Sequence, residues 1–251
     1  MAEDTYSIDT GEWAAAGGIA ALRLLADETR WQIVRSLRSS DRLVGELAEQ
    51  TGLAQNLVSY HLGVLRQAGL VQLHKSDADA RASYYGLDLA ALTALHRQLG
   101  AALAVDGVAA PDAPPARTVV FLCRANSARS QIAEGWLRQL GDGRMTVRSA
   151  GTQPRALHPL AERVMAEVGV DIGHQHAKHV DALAHLAPDI VVTVCDIARE
   201  ACTVWQRAST RLHWSIADPV AVVDADEQLA AFRATRDALR QRVIGLLQLL
   251  Y

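Results

Sequence analysis

The chain has 251 residues, half of them apolar and 21% charged, a balance that suits a soluble globular protein with room for two modest domains. Its net charge of -3 excludes the bulk basicity of a sequence-blind nucleic-acid coat, so any DNA contact must rest on a local patch. No apolar run of about 18 residues appears, the start is acidic and polar rather than signal-like, and all three cysteines fall in the second half, too few for a secreted disulfide framework. A cytoplasmic protein without membrane association is expected.

Residues 1–18 are small, acidic and without period, and read as a flexible arm. Helical spacing begins at Ile19, and Asp27 is placed to cap a helix over Glu28–Leu37 that shows Trp31, Ile33, Val34 and Leu37 on one face. Two amphipathic segments follow, Leu43–Gln50 closed by Thr51-Gly52 and Ala54–Gln67 closed by Ala68-Gly69. The tight glycine-containing turn between them has helix-turn-helix spacing. Alternating runs at Leu70–His74 and Ala82–Leu87 then flank a polar turn and predict a hairpin wing. The last helix of this region, Asp88–Leu103, carries more leucine than a small monomer needs and suggests a dimer seam.

Near the start of the second amphipathic segment, Gln55, Asn56, Ser59, Tyr60 and His61 offer groups that bond base edges or phosphates. Arg66, Lys75 and Arg81 are candidate phosphate contacts. Tyr60 and His61 each have an equal alternative as packing residues. Residues 104–117, rich in Pro and Ala, read as a linker, which gives domains at 19–103 and 118–251.

Beyond the linker, Val119 to Leu122 is a buried strand that runs into Cys123-Arg124-Ala125-Asn126-Ser127-Ala128-Arg129-Ser130 and then a helix. Loop amides at a helix N-terminus converge on an anion, and the same field favours a thiolate at Cys123. Arg129 supplies a planar fork for two oxygens of an oxyanion. Further on, strands at 145–149, 190–194 and 211–214 are expected between helices at 130–140, 159–168, 179–186 and 225–249. Such alternation predicts a parallel sheet covered on both faces, with the phosphate loop at its carboxyl edge.

The runs "ALRLLADETRWQIVRSL", "VGELAEQTGLAQNLVSYHLGVLRQAGLV" and "SYYGL" resemble the arsenic-responsive (ArsR-type) winged helix-turn-helix repressors over nearly all of residues 19–103. That resemblance implies a homodimer whose Gln55–Gln67 helix enters the major groove of operator DNA. The cysteine pair by which such repressors usually sense arsenite is missing: the region reads Arg42-Leu43-Val44-Gly45-Glu46-Leu47, and no thiol occurs in the domain. Sensing must then come from elsewhere. Neither His61, His74 and His96 nor the run His174, His176 and His179 is expected to hold a metal.

Residues 118–251 resemble the low-molecular-weight tyrosine phosphatase fold, and more closely its thioredoxin-coupled arsenate reductase branch, through "FLCRANSARSQIAEGWLR", "VRSAGTQP", "HPLAERVMAEVGVDI", "DIVVTVCDIAREAC" and "HWSIADP". The resemblance implies that Cys123 is the nucleophile. Arg129 and the loop from Arg124 through Ala125, Asn126, Ser127 and Ala128 to Ser130 bind the oxyanion, and Asp218 is the general acid. Asp218 can also be a turn residue before Pro219.

Cys195 and Cys202, seven residues apart across the polar loop "DIAREA", bear on reduction versus hydrolysis. In a relay, Cys195 attacks Cys123, arsenite leaves, and Cys202 carries the disulfide outward to thioredoxin. No tightly bound cofactor is expected. Each cysteine also has a bland reading, a buried small hydrophobe or an incidental loop thiol. Val220-Ala221-Val222 follow Asp218-Pro219 where phosphotyrosine enzymes of this fold carry aromatic residues. A repressor fused to an arsenate reductase is the leading expectation. A regulator whose catalytic fold only senses oxyanion or redox state, and a phosphatase fused to a regulator, are the alternatives.

Overall fold

The computed structural model describes residues 18–79, 81–103, 117–141, 143, 145–201, 204–205, 208 and 210–250. The expected arm at its residues 1–17, the linker at 104–116, and Cys202 lie outside the described residues. The chain divides into two compact units.

The first unit carries α1 (Gly18–Leu25), α2 (Glu28–Leu37), β1 (Arg42–Leu43), α3 (Val44–Thr51), α4 (Gln55–Gln67), β2 (Val71–Lys75), β3 (Ser83–Leu87) and α5 (Leu89–Leu103). Asp27 caps α2 as its position predicts, its carboxylate accepting from the Arg30 amide at 2.9 Å. Glu46 accepts from the Leu43 amide at 2.9 Å and closes the start of α3. That helix ends at Gly52, whose φ of 70° is the left-handed conformation that glycine adopts without strain. Ile33, Leu37, Leu47, Leu62 and Leu65 fill the core between α2, α3 and α4. The wing gains a short third strand: β1 pairs antiparallel with β3, giving the order β1-β3-β2. Two residues carry too little alternation to announce a strand.

The second unit carries β4 (Thr118–Cys123), α6 (Arg129–Leu140), β5 (Thr146–Gly151), α7 (Pro159–Ala166), β6 (Ile190–Thr193), α8 (Asp196–Ala201), β7 (Thr210–His213) and α9 (Ala225–Leu250). Its sheet runs β5-β4-β6-β7, all parallel. The chain leaves β4 for β5 on one side and later returns to β6 on the other, so the carboxyl end of β4 is a topological switch point, the place where open α/β sheets bind ligands. Phe121, Ile132, Leu137, Met165, Trp214 and Phe232 fill the core on the two faces. A near-continuous apolar β4, buried from Val119 to Cys123, is what a strand covered on both sides requires.

Two expectations need correction. Residues 196–201 form α8 rather than a polar loop: six residues are too short to display a helical period, although Ala, Arg and Glu are good helix formers. Around 179–186 there is only a 3-10 turn, Val180–Leu183. Among the described residues, no helix is long and apolar enough to cross a membrane.

Candidate active site

Cys123 is the last residue of β4 and is 3% exposed. Its Sγ lies 2.9 Å from Ser130 Oγ and receives the Asn126 amide at 3.0 Å. Asn126 Nδ2 donates to Ser130 Oγ at 2.9 Å, so the serine spends a lone pair there and its own hydrogen is free to point at the sulfur. Asn126 also donates to Ser149 Oγ at 2.8 Å and accepts the Lys178 amide at 2.8 Å. These bonds hold its backbone at φ 46°, in the left-handed region that asparagine tolerates better than most residues. The special conformation of the loop thus sits at Asn126, and Ala125 meets no demand for glycine.

The loop's carbonyls are turned outward. Those of Arg124, Ala125 and Ser127 accept from the amides of Gln153, Arg155 and His158 at 2.8, 2.8 and 2.9 Å. Carbonyls held outward leave amides to face inward, the arrangement that cradles an anion. Helix α6 begins after Ala128 with no side-chain cap, so its first amides are left for a ligand. Gly151, paired in register with Cys123, permits this packing: a Cβ there would stand 2.6 Å from the Arg124 carbonyl oxygen and 2.8 Å from the Asn126 nitrogen. Gly151 lies two residues beyond the strand expected at 145–149 and was not among the expected site residues; a glycine at a strand end can mark close backbone approach.

Arg129 is 5% exposed, donates to the Ile216 carbonyl at 2.7 Å and pairs with Asp218 at 2.9 Å. Burial works against its charge, but Cys195, Asp218 and Cys123 around it push the guanidinium pKa above its ordinary value. Burial and the proximity of Cys123 push the Cys195 thiol up to about 12. Asp218 Oδ1 caps the turn by accepting the Val220 amide at 3.2 Å, and its Oδ2 faces Arg129.

Cys195, wholly buried, follows the end of β6. Its Sγ accepts the Arg124 amide at 3.2 Å and the Ala198 amide at 3.3 Å. The first amide of the anion loop therefore touches the second thiol, and the Arg124 side chain turns aside to Gln153 at 3.0 Å. His158, a further residue missed from sequence, caps α7 through Nδ1 and stacks on Phe232 with ring centres 4.7 Å apart. Burial lowers its pKa while Asp218 opposes the shift.

Gln55, Asn56, Ser59, Tyr60 and Arg66 lie exposed on α4 of the first unit, and Lys75 and Arg81 are exposed as well. His61 is corrected: it is 7% exposed, with Nδ1 facing Asp27 at 3.7 Å, and packs inward rather than toward a base edge.

A buried cysteine at a strand end, a loop of inward amides at a helix N-terminus, a buried arginine and an Asp-Pro turn form the kind of site that thiol-based oxyanion enzymes use. Residues 118–251 match the low molecular weight phosphotyrosine protein phosphatase family, and the chain belongs to that family. Residues 27–72 match the bacterial regulatory proteins of the arsR family, so a regulator-type helix-turn-helix precedes the enzyme-type domain. The chain is similar to an arsenate reductase of Halalkalibacterium halodurans, 35% identical over 128 residues that cover 51% of this chain and 92% of that protein. It is also similar to an arsenate reductase of Bacillus subtilis, 36% identical over 128 residues with the same coverage. A solved arsenate reductase in the oxidized state is 30% identical, covers 54% of this chain and 99% of its own, and superposes with a TM-score of 0.49.

Proposed function

We propose that the second unit reduces arsenate to arsenite through Cys123, Cys195 and Cys202, with thioredoxin as electron donor, and that the first unit is a homodimeric repressor of operator DNA. The observation that carries the reduction is the bond from the Arg124 amide to Cys195 Sγ at 3.2 Å, which sets a second buried thiol against the loop of the first. Simple hydrolysis has no use for it.

Arsenate enters the cradle of amides from Ala125 to Ser130 and takes the Arg129 fork from Asp218. A carboxyl relieved of its guanidinium becomes the acid that protonates the departing oxygen. Cys123 Sγ bonds to arsenic and water leaves. Cys195 Sγ then attacks Cys123 Sγ; the S–S bond forms, the S–As bond breaks, and its electron pair goes to arsenic, which leaves as arsenite. Cys202 attacks Cys195, freeing Cys123 and leaving a Cys195–Cys202 disulfide for thioredoxin to reduce. The ring of Ser130, Asn126 and Ser149 keeps the loop's shape through these steps.

Exposed Gln55, Asn56, Ser59 and Tyr60 on α4 suit base readout, with Arg66, Lys75 and Arg81 as phosphate contacts. With no thiol in the first unit, the ligand or redox state of the second unit sets operator affinity.

The test is arsenate-dependent NADPH consumption with thioredoxin and its reductase. Wild type is expected to turn over repeatedly, and Cys123→Ser, Cys195→Ser and Cys202→Ser are each expected to stop after one cycle or before it. Sustained turnover in Cys195→Ser or Cys202→Ser defeats the relay; aryl phosphate hydrolysis without arsenate reduction in wild type makes the domain a phosphatase. A gel shift indifferent to arsenate, arsenite and oxidant defeats the coupling.

A further inference from the structure

A buried polar group directly after Cys195 has no place in the steps above. Asp196, the first residue of α8, and His213, the last of β7, are almost wholly buried, with side chains 1% and 3% exposed. His213 Nε2 lies 3.1 Å from Asp196 Oδ1, and His213 Nδ1 lies 2.9 Å from Thr193 Oγ1. Thr193 and His213 are register partners on the parallel strands β6 and β7, so the imidazole reaches across from one strand end to the other. The threonine hydroxyl donates to the Leu212 carbonyl at 3.3 Å, which leaves its oxygen to accept from Nδ1. Both ring nitrogens of His213 thus have a buried polar partner, one of them the Asp196 carboxylate. Burial alone would raise the Asp196 carboxyl, yet its hydrogen bonds, that of His213 first, hold it below the usual carboxylate range.

A carboxylate this far from water persists only when its oxygens are hydrogen-bonded, and removing a partner is strongly unfavourable. Here the pair fastens the start of a helix of six residues, too short to hold its own shape. That start bears on the thiol: the Ala198 amide donates to Cys195 Sγ at 3.3 Å, and the Arg199 amide closes the first turn on the Cys195 carbonyl at 3.2 Å.

We infer that Asp196 and His213 are positioning residues for Cys195, a buried latch that clamps the first turn of α8 to the end of β7 and so fixes the sulfur for attack on Cys123. The inference rests on the proposed reduction for its purpose and on the hydrogen bonds for its existence. Neither residue touches the oxyanion or bonds to Cys123; their effect passes through the backbone of α8.

The experiment compares full-length wild type with Asp196→Ala, His213→Ala and Asp196→Asn, the last keeping an oxygen acceptor for Nε2. Two quantities are read: maleimide labelling of Cys123 and Cys195 by peptide mass spectrometry, and arsenite released in a single turnover without thioredoxin. The alanine variants are expected to label Cys195 about tenfold faster and release arsenite about tenfold more slowly, with Cys123 labelling within about twofold of wild type and Asp196→Asn near wild type in each. An unchanged Cys195 rate in a folded alanine variant, equal acceleration of both thiols, or Asp196→Asn as damaged as Asp196→Ala overturns the proposal. If the alanine variants do not fold, His213→Gln, which keeps a donor for one acceptor only, is expected to show the same pattern at smaller amplitude, and an unchanged Cys195 rate there is equally fatal. A wild type that releases no arsenite defeats the functional reading alone, because labelling of Cys195 still judges the latch.

Discussion

Substituting Gly151→Ala adds one methyl group where the structure has no room. The new carbon would stand 2.6 Å from the Arg124 carbonyl oxygen, 2.8 Å from the Asn126 nitrogen and 3.0 Å from Asn126 Cβ, and two of those atoms are backbone. Relief cannot come from a side-chain rotamer; either β5 or the loop must move, at a cost of ~1–3 kcal/mol for overpacking. Gly151 is anchored on its other side by its amide on the Lys178 carbonyl at 2.9 Å and by pairing with Cys123, so the loop is the part that yields. A displacement near 1 Å of anion-binding amides is expected to lower kcat/KM for arsenate by about a hundredfold. Steady-state kinetics in the thioredoxin-coupled assay measure this, with thermal unfolding to show that the domain still folds. Gly245→Ala is the control: nothing lies within 4 Å of a Cβ at that helical position, and the variant is expected to gain ~0.5–1 kcal/mol with unchanged kinetics. Arsenate turnover within twofold of wild type in Gly151→Ala would refute the argument that close backbone approach shapes the cradle.

Asn126→Ala removes the bonds to Ser130 and Ser149 and leaves a residue that resists φ 46°; a loss of ~1–3 kcal/mol in stability is expected on denaturant titration, together with slower Cys123 alkylation. Asp27→Ala deletes the cap of α2 and the acid that faces His61, and is expected to destabilise the first unit by ~0.5–2 kcal/mol in urea without altering arsenate reduction. The Cys195 thiol ionises at about 12 in the fold against 9.0 ordinarily. Its contribution to stability is therefore complete below the lower value and disappears as pH rises through this window. Between those limits wild type is expected to lose up to ~1.4 kcal/mol per pH unit more than Cys195→Ala, read from unfolding midpoints of the two proteins across alkaline pH. Parallel midpoints would mean that this thiol ionises alike in both states.

What could be read in advance was whatever the chain writes locally. Asp27 before a helical period, Gly52 after one, and Cys123, Arg129 and Ser130 strung along one strand–loop–helix connection need no knowledge of distant residues. Hidden features depend on partners far apart in sequence. The demand on Gly151 comes from the Arg124 carbonyl, the amide on Cys195 comes from Arg124, and the pairing of Asp196 with His213 exists only because β6 and β7 end side by side. The left-handed conformation of Asn126 is likewise held from a distance, by Ser149 on β5 and the backbone amide of Lys178. His61 looked available for DNA until the packing of α4 on α2 turned it toward Asp27.

Cys123 ends β4, and Cys195 stands just beyond the end of its parallel neighbour β6, where the Val194 amide still bonds to the Leu122 carbonyl at 2.7 Å. Adjacent strands lie about 4.8 Å apart, inside the separation a disulfide spans between Cα atoms. If the proposed relay operates, its first disulfide forms at the carboxyl edge of the sheet, between the ends of two neighbouring strands.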